Sequence, residues 1–241
     1  TNYVLTDGVK IGQLFGYLGL HSVSEKDAKG VAYIPEASQS LYEVASNGWV
    51  VEKASKQPYF TPNQYPLGDP NPAFNMSFIN SLTYKEVITL NFQLDWLSGS
   101  HLYNQTKEWM YRDGIHSDYQ QPFTVGGQTG AWSAFYRGVY AQRARNGTKS
   151  YFYEDASFVR LRNVSVVIDA KKLLNINVAR KLDVVLSGRN LITWTKYTGM
   201  DPEANSSNTY KDGDNSAWDR GTDHNTMPNL RSYTIGLNVG F

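Results

Sequence analysis

The chain has 241 residues and a net charge of +1, which gives no electrostatic reason to expect a nucleic-acid partner. Cysteine is absent, which excludes disulfide bonds and thiolate metal sites. Aromatic residues reach 14% while charged residues are only 19%, and no stretch approaches the roughly 18 apolar residues of a membrane helix. A helical membrane protein is therefore not expected, whereas a β-barrel is compatible because its strands carry only alternating hydrophobicity.

The first half of the chain contains three candidate strands. A weakly patterned strand is predicted at Ile11–Leu20. In the second strand, the residues that share an apolar face are Phe74, Met76, Phe78, Leu82 and Tyr84. The third strand alternates Ile88, Leu90, Phe92, Leu94 and Trp96 with the polar residues Thr89, Asn91, Gln93 and Asp95. The dipeptide Lys85-Glu86 between the last two strands predicts a tight hairpin turn.

The second half contains three further candidate strands. Phe158–Asp169 changes phase at its centre, which a β-bulge near Arg162-Asn163 would explain. The next strand has the apolar residues Leu182, Val184, Leu186, Ile192 and Trp194, with Gly188 and Asn190 weakening its centre.

The last ten residues show the clearest alternation. In Ser232–Phe241 one face carries only Tyr233, Ile235, Leu237, Val239 and Phe241, and the other carries only polar residues or glycine. A strand of this length crosses a bilayer at a tilt of about 45°. The last residue of this strand, Phe241, is itself aromatic.

The connections between these strands alternate in length. The long ones are Lys196–Pro228, Gly99–Ser157 and His21–Asn71, and they are expected to lack regular structure. The short ones are Ala170–Arg180 and Lys85-Glu86. Outer-membrane barrels have short periplasmic turns and long extracellular loops, so this alternation places the C-terminus in the periplasm.

The predicted fold class is therefore all-β, with about six antiparallel strands of a transmembrane barrel. Trp96 and Trp194 would mark the outer interface of the membrane, and Tyr84 and Phe241 the inner one. Six strands are too few to close a membrane barrel, which needs at least about eight. Residues 1–241 are thus expected to be the C-terminal part of a single larger barrel domain, and an open sheet edge in lipid would leave backbone groups unpaired.

Several short motifs occur in a recognisable order. They are Ile11–Tyr17, Gly68–Phe74, Thr83–Lys85, Asp95–Asn104, Tyr153–Val164, Arg189–Glu203, Met227-Pro228 and Arg231–Thr234. In order and spacing the set resembles the late barrel strands of SusC/RagA-type TonB-dependent transporters of the Bacteroidetes. Leu41–Tyr65 departs from the family, because it lacks the acidic, glycine-rich segment found there.

The resemblance implies a function and a set of partners. Members of this family are outer-membrane importers of oligosaccharides or peptides, with a barrel of about 22 strands and an N-terminal plug. They draw energy through the TonB complex and work with a SusD-like surface lipoprotein, often as dimers of importer–lipoprotein pairs. The plug and the TonB box would lie upstream of this chain. The resemblance also implies recognition of the last strand by the barrel-assembly machinery.

Aromatic residues in the long connections are the candidates for ligand binding, because flat rings stack on sugars or peptide side chains. They are Trp109, Tyr111, Trp132, Tyr136, Tyr151, Tyr153 and Trp218, with Phe135 nearby. Packing within the long loops is the competing interpretation for each of them. The side chains predicted to line the lumen are Asn91, Gln93, Asp95, Asp183, Ser187, Arg189 and Asn238. Arg160 and Arg162 would do the same or extend to the membrane interface.

The sequence shows no catalytic constellation, so no enzyme activity, cofactor or metal site is predicted. The four histidines, His21, His101, His116 and His224, lack ligand spacing. The segment Asp212–Asn215 has oxygen ligands suited to calcium, but a solvated turn is the favoured interpretation.

Two other functions remain open at this level. One is a passive porin without energy coupling, which would lack a plug domain. The other is a secreted carbohydrate-binding β-sandwich, which would stay soluble without detergent.

Overall fold

The computed structural model describes residues 13–143, 147–176, 178–204 and 221–241. These residues form two compact units. The first, here called the aromatic unit, comprises residues 13–70, 101–143, 147–154 and 221–226. The second, the sheet unit, comprises residues 71–100, 155–176, 178–204 and 227–241. The interpretation of the chain as part of a single barrel domain stays a prediction.

Short and long strands make up most of the regular structure in the described residues. The strands are β1 (Leu14–Gly19), β2 (Tyr42–Val44), β3 (Val50–Glu52), β4 (Phe60–Gly68), β5 (Phe74–Tyr84), β6 (Ile88–Ser98), β7 (His101–Asn104), β8 (Phe123–Val125), β9 (Gln128–Gly130), β10 (Tyr153–Asp155), β11 (Phe158–Asp169), β12 (Lys181–Thr195), β13 (Thr222–Asp223) and β14 (Ser232–Gly240). The helices are α1 (Gln105–Asp113), α2 (Ser133–Ala141) and α3 (Ala170–Leu174), with 3-10 turns at Glu36–Leu41, Ser117–Gln120 and Ser150–Phe152. This content agrees with the predicted all-β class.

The sheet unit is built on one antiparallel sheet with the strand order β14–β12–β11–β6–β5. All five strands were predicted from their alternation, and the bounds of β5 and β11 agree with the prediction at both ends. The turn after β5 is as tight as expected. Lys85 and Glu86 both have positive φ values, 48° and 55°, and the amide of Val87 donates to the carbonyl of Tyr84. Two successive positive φ values are the hallmark of the type I′ hairpin turn.

The predicted β-bulge in β11 is confirmed. Leu161 and Asn163 of β11 face Leu94 and Gln93 of β6, so Arg162 is one residue extra. Opposite the same pair, β12 places Ile192 and Arg189, with Asn190 and Leu191 between them. Between these two paired positions β6 thus has no residue, β11 has one and β12 has two. Asn190 adopts a left-handed φ of 53°. The bulge brings Leu161 and Val164 to the same face.

A one-turn helix joins β11 to β12. The carboxylate of Asp169 accepts a hydrogen bond from the amide of Lys172 at 2.9 Å and so caps α3. Asn175 ends the helix with a left-handed φ of 52°. The connection is short, as predicted, because it holds only this single turn.

The candidate strand at Ile11–Leu20 is present in its described part as β1. It pairs with β4 in a two-stranded sheet and not with the five-stranded sheet. The prediction that His21–Asn71 lacks regular structure is wrong, because this stretch contains β2, β3 and β4. Pro62 and Pro66 lie within β4 and gave it the signature of a loop, although proline is tolerated in a strand outside the centre of a sheet.

The connection Gly99–Ser157 is also folded, which corrects the second expectation of an irregular loop. It contains α1 and α2 and packs around a core of almost fully buried side chains, among them Tyr111, Phe135 and Phe152. Asn104 caps α1 through its side-chain oxygen, and Gly114 closes the helix with a φ of 70°. Elements of three to nine residues were too short to leave a clear period in the sequence.

Candidate functional site

One face of the five-stranded sheet is mainly apolar on every strand, with Asn80 as a polar exception on β5. The register aligns Leu82, Leu90, Val166, Leu186 and Ile235 in a single row. A second row consists of Tyr84, Ile88, Ile168, Val184 and Leu237. The alternation predicted for separate strands therefore adds up to one continuous surface.

This apolar face is exposed. On β14 the exposed fractions are 76% for Tyr233, 81% for Ile235 and 63% for Leu237. On β5, Met76 and Phe78 are each 50% exposed. Soluble monomers rarely expose contiguous apolar patches of more than a few hundred Å², so this face requires an apolar environment or a partner.

Aromatic residues lie at both ends of the apolar face. Trp96 and Trp194 both pair with Val159, so the two indoles lie at the same end of the sheet, and they are 44% and 52% exposed. Tyr84 and Phe241 lie at the opposite end and are 64% and 87% exposed. Their positions agree with those predicted for the two membrane interfaces.

The other face of the sheet is mainly polar, with Ile79, Val167 and Val185 as apolar exceptions. Its central row consists of Ser81, Asn91, Ser165, Ser187 and Thr234. The register also pairs Gln93 with Asn163, Asn163 with Arg189, and Asp183 with Asn238. All seven residues predicted to line a lumen thus lie on the strands in register with this face, and the lumen itself remains a prediction.

An ion-pair network occupies the polar face near the bulge. Arg160 is only 2% exposed, and its guanidinium donates to Asp201 and to Glu203 at 2.5 Å each. The guanidinium of Arg162 donates to the carboxylate of Asp95 at 2.6 Å and to that of Glu203 at 2.5 Å. Because the bulge turns Arg162 and Asn163 to the polar side together, both arginines point to the same acidic segment.

The network joins two of the motifs that the sequence analysis kept separate. Arg160 and Arg162 belong to Tyr153–Val164, whereas Asp201 and Glu203 belong to Arg189–Glu203. Asp201 is 4% exposed, and although burial raises its pKa, hydrogen bonds from Arg160 and from the amides of Glu203 and Asn229 outweigh this and lower it. Sequence reasoning missed the pairing because about forty residues separate the partners.

A pocket of about 340 Å³ lies beside this network, and we call it the strand–loop pocket. Thr193 and Asn190 of β12 form one wall, and residues 200–202 and 228–231 form the other. Arg160 and Arg231 both line it. Arg231 is exposed, and its guanidinium has no ion-pair partner among the described residues.

The predicted ligand-binding aromatics lie mainly in the core of the aromatic unit. Tyr111 and Tyr136 are 1% and 4% exposed, and Phe135 is fully buried. The hydroxyl of Tyr111 donates to Asp118 at 2.5 Å and lies 2.8 Å from the hydroxyl of Tyr151. In this conformation the rings of Tyr111 and Tyr136 pack against protein, so binding by their faces would require the unit to open.

The remaining candidates are more accessible. The ring of Trp109 packs edge-on against His224 with its centroid 4.4 Å away, and Tyr153 stacks on His101 at 5.4 Å. The indole of Trp132 donates to the carbonyl of Phe123 at 3.0 Å. Trp218 lies outside the described residues. Ligand binding by all seven residues stays a prediction.

The histidines are engaged in local contacts. A ring nitrogen of His21 lies 2.7 Å from the carbonyl of Gly48, and His116 accepts a hydrogen bond from the amide of Asp118. Among the described residues, no group of three or more His, Asp or Glu side chains is arranged to hold a metal ion. The candidate calcium segment Asp212–Asn215 lies outside the described residues.

A buried ion pair in the aromatic unit escaped the sequence analysis. Lys149 is fully buried and its ammonium lies 4.0 Å from the carboxylate of Glu108, which is 5% exposed. Burial raises the pKa of Glu108 and lowers that of Lys149, and each charge partly offsets the shift of the other. The ammonium also lies 5.7 Å from the ring centre of Tyr140, within the range of a cation–π interaction.

Within the ranges described, no helix is both long and apolar enough to span a membrane.

Comparison with known proteins gives two related sequences. TonB-dependent receptor P3 of Formosa agariphila is 29% identical over 248 residues, which cover 99% of this chain and 23% of that receptor. TonB-dependent receptor P26 of the same organism is 25% identical over 177 residues, which cover 73% of this chain and 18% of that receptor. No protein-family model matches the chain. The chain therefore spans less than a quarter of the length of these relatives.

Two solved structures share the fold. The RagAB peptide importer in its closed-closed state superposes with a TM-score of 0.53 and 19% identity, covering 95% of this chain and 23% of that one. A structure of the RagAB peptide transporter gives a TM-score of 0.55 and 18% identity, with the same coverage. The resemblance to SusC/RagA-type TonB-dependent receptors, inferred from the motifs, is confirmed by these matches. All four of these proteins are named as receptors, importers or transporters.

Proposed function

We propose that this chain is the C-terminal part of a TonB-dependent transporter that imports oligosaccharides or peptides across the outer membrane of a Gram-negative bacterium. The observation that carries the proposal is the five-stranded sheet with one apolar, exposed face and one polar face. A bilayer on one side and a wet lumen on the other satisfy both faces at once.

The exposed rows supply the argument for lipid. β5 and β6 have 11 residues each, which agrees with the roughly 9–11 residues that a tilted strand needs to cross the hydrocarbon core. A soluble sandwich would need a second sheet over Leu82, Leu186 and Ile235, yet Leu82 and Ile235 are 56% and 81% exposed. The sheet therefore favours a membrane wall over a secreted sandwich.

The edges of the sheet argue for a larger barrel. Among the described residues β5 and β14 each have a neighbour in this sheet on one side only. Unpaired backbone groups in hydrocarbon cost several kcal/mol each, so both edges must pair with further strands. We propose a barrel of about 22 strands, as in the largest ligand-gated outer-membrane transporters.

The connections suggest the orientation. At the tryptophan end of the sheet the chain leaves for residues 99–157 and 196–231, whereas at the other end only residues 85–87 and 170–180 connect the strands. Long connections are extracellular in outer-membrane barrels. On this basis the tryptophan end faces outward, and Phe241 lies at the periplasmic side.

The names of the similar proteins support a proposal for the partners of the complete transporter. The two related sequences are TonB-dependent receptors, and the matched structures are of a RagAB importer. We infer coupling to the TonB complex through a plug upstream of this chain, and pairing with a SusD-like surface lipoprotein, with dimers of such pairs. A passive porin of the same barrel type is the second candidate.

An uptake experiment separates these two functions. Cells that carry the complete gene should accumulate a labelled oligosaccharide or peptide mixture, and deletion of the gene should abolish this accumulation. Inactivation of TonB should abolish it as well, because import against a gradient needs energy. Uptake that persists without TonB would instead establish a passive pore.

The terminal strand supplies a separate test of membrane assembly. We propose that the barrel-assembly machinery recognises the face formed by Tyr233, Ile235, Leu237, Val239 and Phe241. Deletion of Phe241 should lower the amount of heat-modifiable, folded protein in outer-membrane fractions. The substitution Asn238→Ala, at a polar position of the same strand, is the control for general damage to the strand, and unchanged levels in both variants would contradict this role.

A further inference from the structure

One positive charge in the wall of the strand–loop pocket has no ion-pair partner among the described residues. The two carboxylates nearest to it, Asp201 and Glu203, are already held by Arg160 and Arg162 at 2.5 Å. Arg231 lies on the opposite wall, and no carboxylate among the described residues lies within ion-pair distance of it. A ligand entering the pocket therefore meets one free guanidinium and no free anion.

The walls of the pocket are fixed before any ligand arrives. Asn190 accepts a hydrogen bond from Arg162 and donates to the carbonyl of Leu230 at 3.1 Å. The side chain of Asn229 donates to Glu203 at 3.0 Å, and its backbone N–H donates to Asp201 at 2.9 Å. These bonds hold the segment that carries Arg231 in place, so that binding mainly has to order the arginine side chain itself.

One polar group besides Arg231 is available in the walls. The hydroxyl of Thr195 is occupied, since it donates to the carbonyl of Ser157 at 2.8 Å and accepts from the amide of Tyr197. Thr193, two residues earlier on β12, is half-buried, lines the pocket, and has no side-chain hydrogen bond among the described residues. A guanidinium and a hydroxyl are both donors suited to an oxyanion.

We propose that the strand–loop pocket binds a carboxylate group carried by the transported oligomer, with Arg231 as the charged donor and Thr193 as the neutral one. This inference rests on the proposed transport function and narrows its substrate class to acidic oligomers. The planar guanidinium matches a carboxylate with two parallel hydrogen bonds, which an ammonium group cannot form. The buried network of Arg160, Asp201 and Glu203 keeps the pocket open without competing for the ligand.

Two sources of such a carboxylate are distinguishable: a uronic acid sugar and an acidic peptide. The complete transporter, purified in lipid nanodiscs, is titrated by calorimetry with an oligogalacturonate and with its fully methyl-esterified form. A glutamate-rich hexapeptide and its glutamine counterpart form the second pair. Tighter binding of the acidic member within one pair identifies the source.

Variants at one position test the contact itself. Arg231→Gln should weaken binding of the acidic oligomer by about tenfold or more, because a hydrogen bond to a charged group is lost, and leave the neutral counterpart unchanged. Arg231→Lys should restore part of the loss, since the charge remains but the fork does not. Arg180→Gln, which removes the same charge near the opposite end of β12, is the matched control and should have no effect.

Three results would overturn the inference. They are an equal loss for acidic and neutral oligomers, a loss no greater than that of Arg180→Gln, or no binding of either acidic oligomer at millimolar concentration. The proposed transport function is judged separately, by the uptake of cells with and without the gene. That result stands whichever way the affinities of the Arg231 variants fall.

Discussion

The two units place the same kinds of side chain in opposite surroundings. In the aromatic unit Phe135 is fully buried among other rings, whereas in the sheet unit Phe78 is 50% exposed on the apolar face. The aromatic unit thus completes its own core, as a water-soluble domain does. The sheet unit leaves its apolar face uncovered, and in the proposed barrel lipid would take the place of a second protein layer. The exposed fraction of the apolar side chains therefore indicates whether the surface of each unit suits water or an apolar medium.

The largest loss of stability is expected at the buried ion pair of the sheet unit. Arg160→Met should reduce the stability of the complete protein by about 3–5 kcal/mol, because it leaves the carboxylate of Asp201 buried without its partner. The midpoint of urea unfolding in lipid vesicles measures this change. Arg189→Met is the control: Arg189 is exposed, so its replacement should change stability by less than about 0.5 kcal/mol.

Replacing one phenylalanine in each unit tests whether the two units have different surroundings. Phe135→Ala should lower the free energy of unfolding of the aromatic unit by about 3–5 kcal/mol, because the removed ring leaves a cavity in a closed core. Phe78→Ala should cost less, because mobile acyl chains fill the space and no cavity remains. Hydrogen exchange of the amides in α1 and α2 reports the first change, and the unfolding midpoint of the barrel reports the second. Equal costs would contradict the assignment of lipid to the apolar face.

Adjacent residues of β14 test the two faces of the sheet. Leu237→Arg places a charge on the apolar face and should cost about 2–4 kcal/mol if the residue lies near the bilayer midplane. Asn238→Arg places the same charge on the polar face and should be far milder. The fraction of folded, heat-modifiable protein in outer membranes measures both. If the two variants reduced this fraction equally, the faces would be assigned wrongly.

The smallest effect concerns acid stability. The pKa of Asp201 is lowered in the folded protein, so the unfolded chain binds a proton at this residue more readily. Its contribution to stability is complete above the unfolded value of about 3.9 and is lost as the pH falls through the folded value. Asp201→Asn should therefore be less stable than the native protein at neutral pH, and the difference should shrink below about pH 4. A difference that is constant with pH would show that the carboxylate is not ionised in the folded state.

The strands of the sheet unit were predictable because each one carries a complete pattern within itself. The phase change in β11 even located the bulge, since a side-chain period of two leaves no other way to keep Leu161 and Val164 on one face. The turn at Lys85-Glu86 was equally local.

Features that depend on distant parts of the chain were not predictable. β4 contains Pro62 and Pro66, and only its pairing with β1 shows that it is a strand. The partners of Arg160, Asp201 and Glu203, lie about forty residues away, and no local pattern connects them to it. The burial of Tyr111 and Tyr136 depends on the folding of the whole aromatic unit, which short elements did not reveal.

The stepwise gain of one residue from β6 to β11 and from β11 to β12 restricts how the sheet can change in evolution. At this level β12 is two residues longer than β6, and an even number leaves Ile192 and Trp194 on the same side as Leu186. Loss of a single residue at Asn190-Leu191 would move Trp194 to the polar face of the sheet and Thr193 to the apolar face. Insertions and deletions within β12 should therefore survive only in pairs.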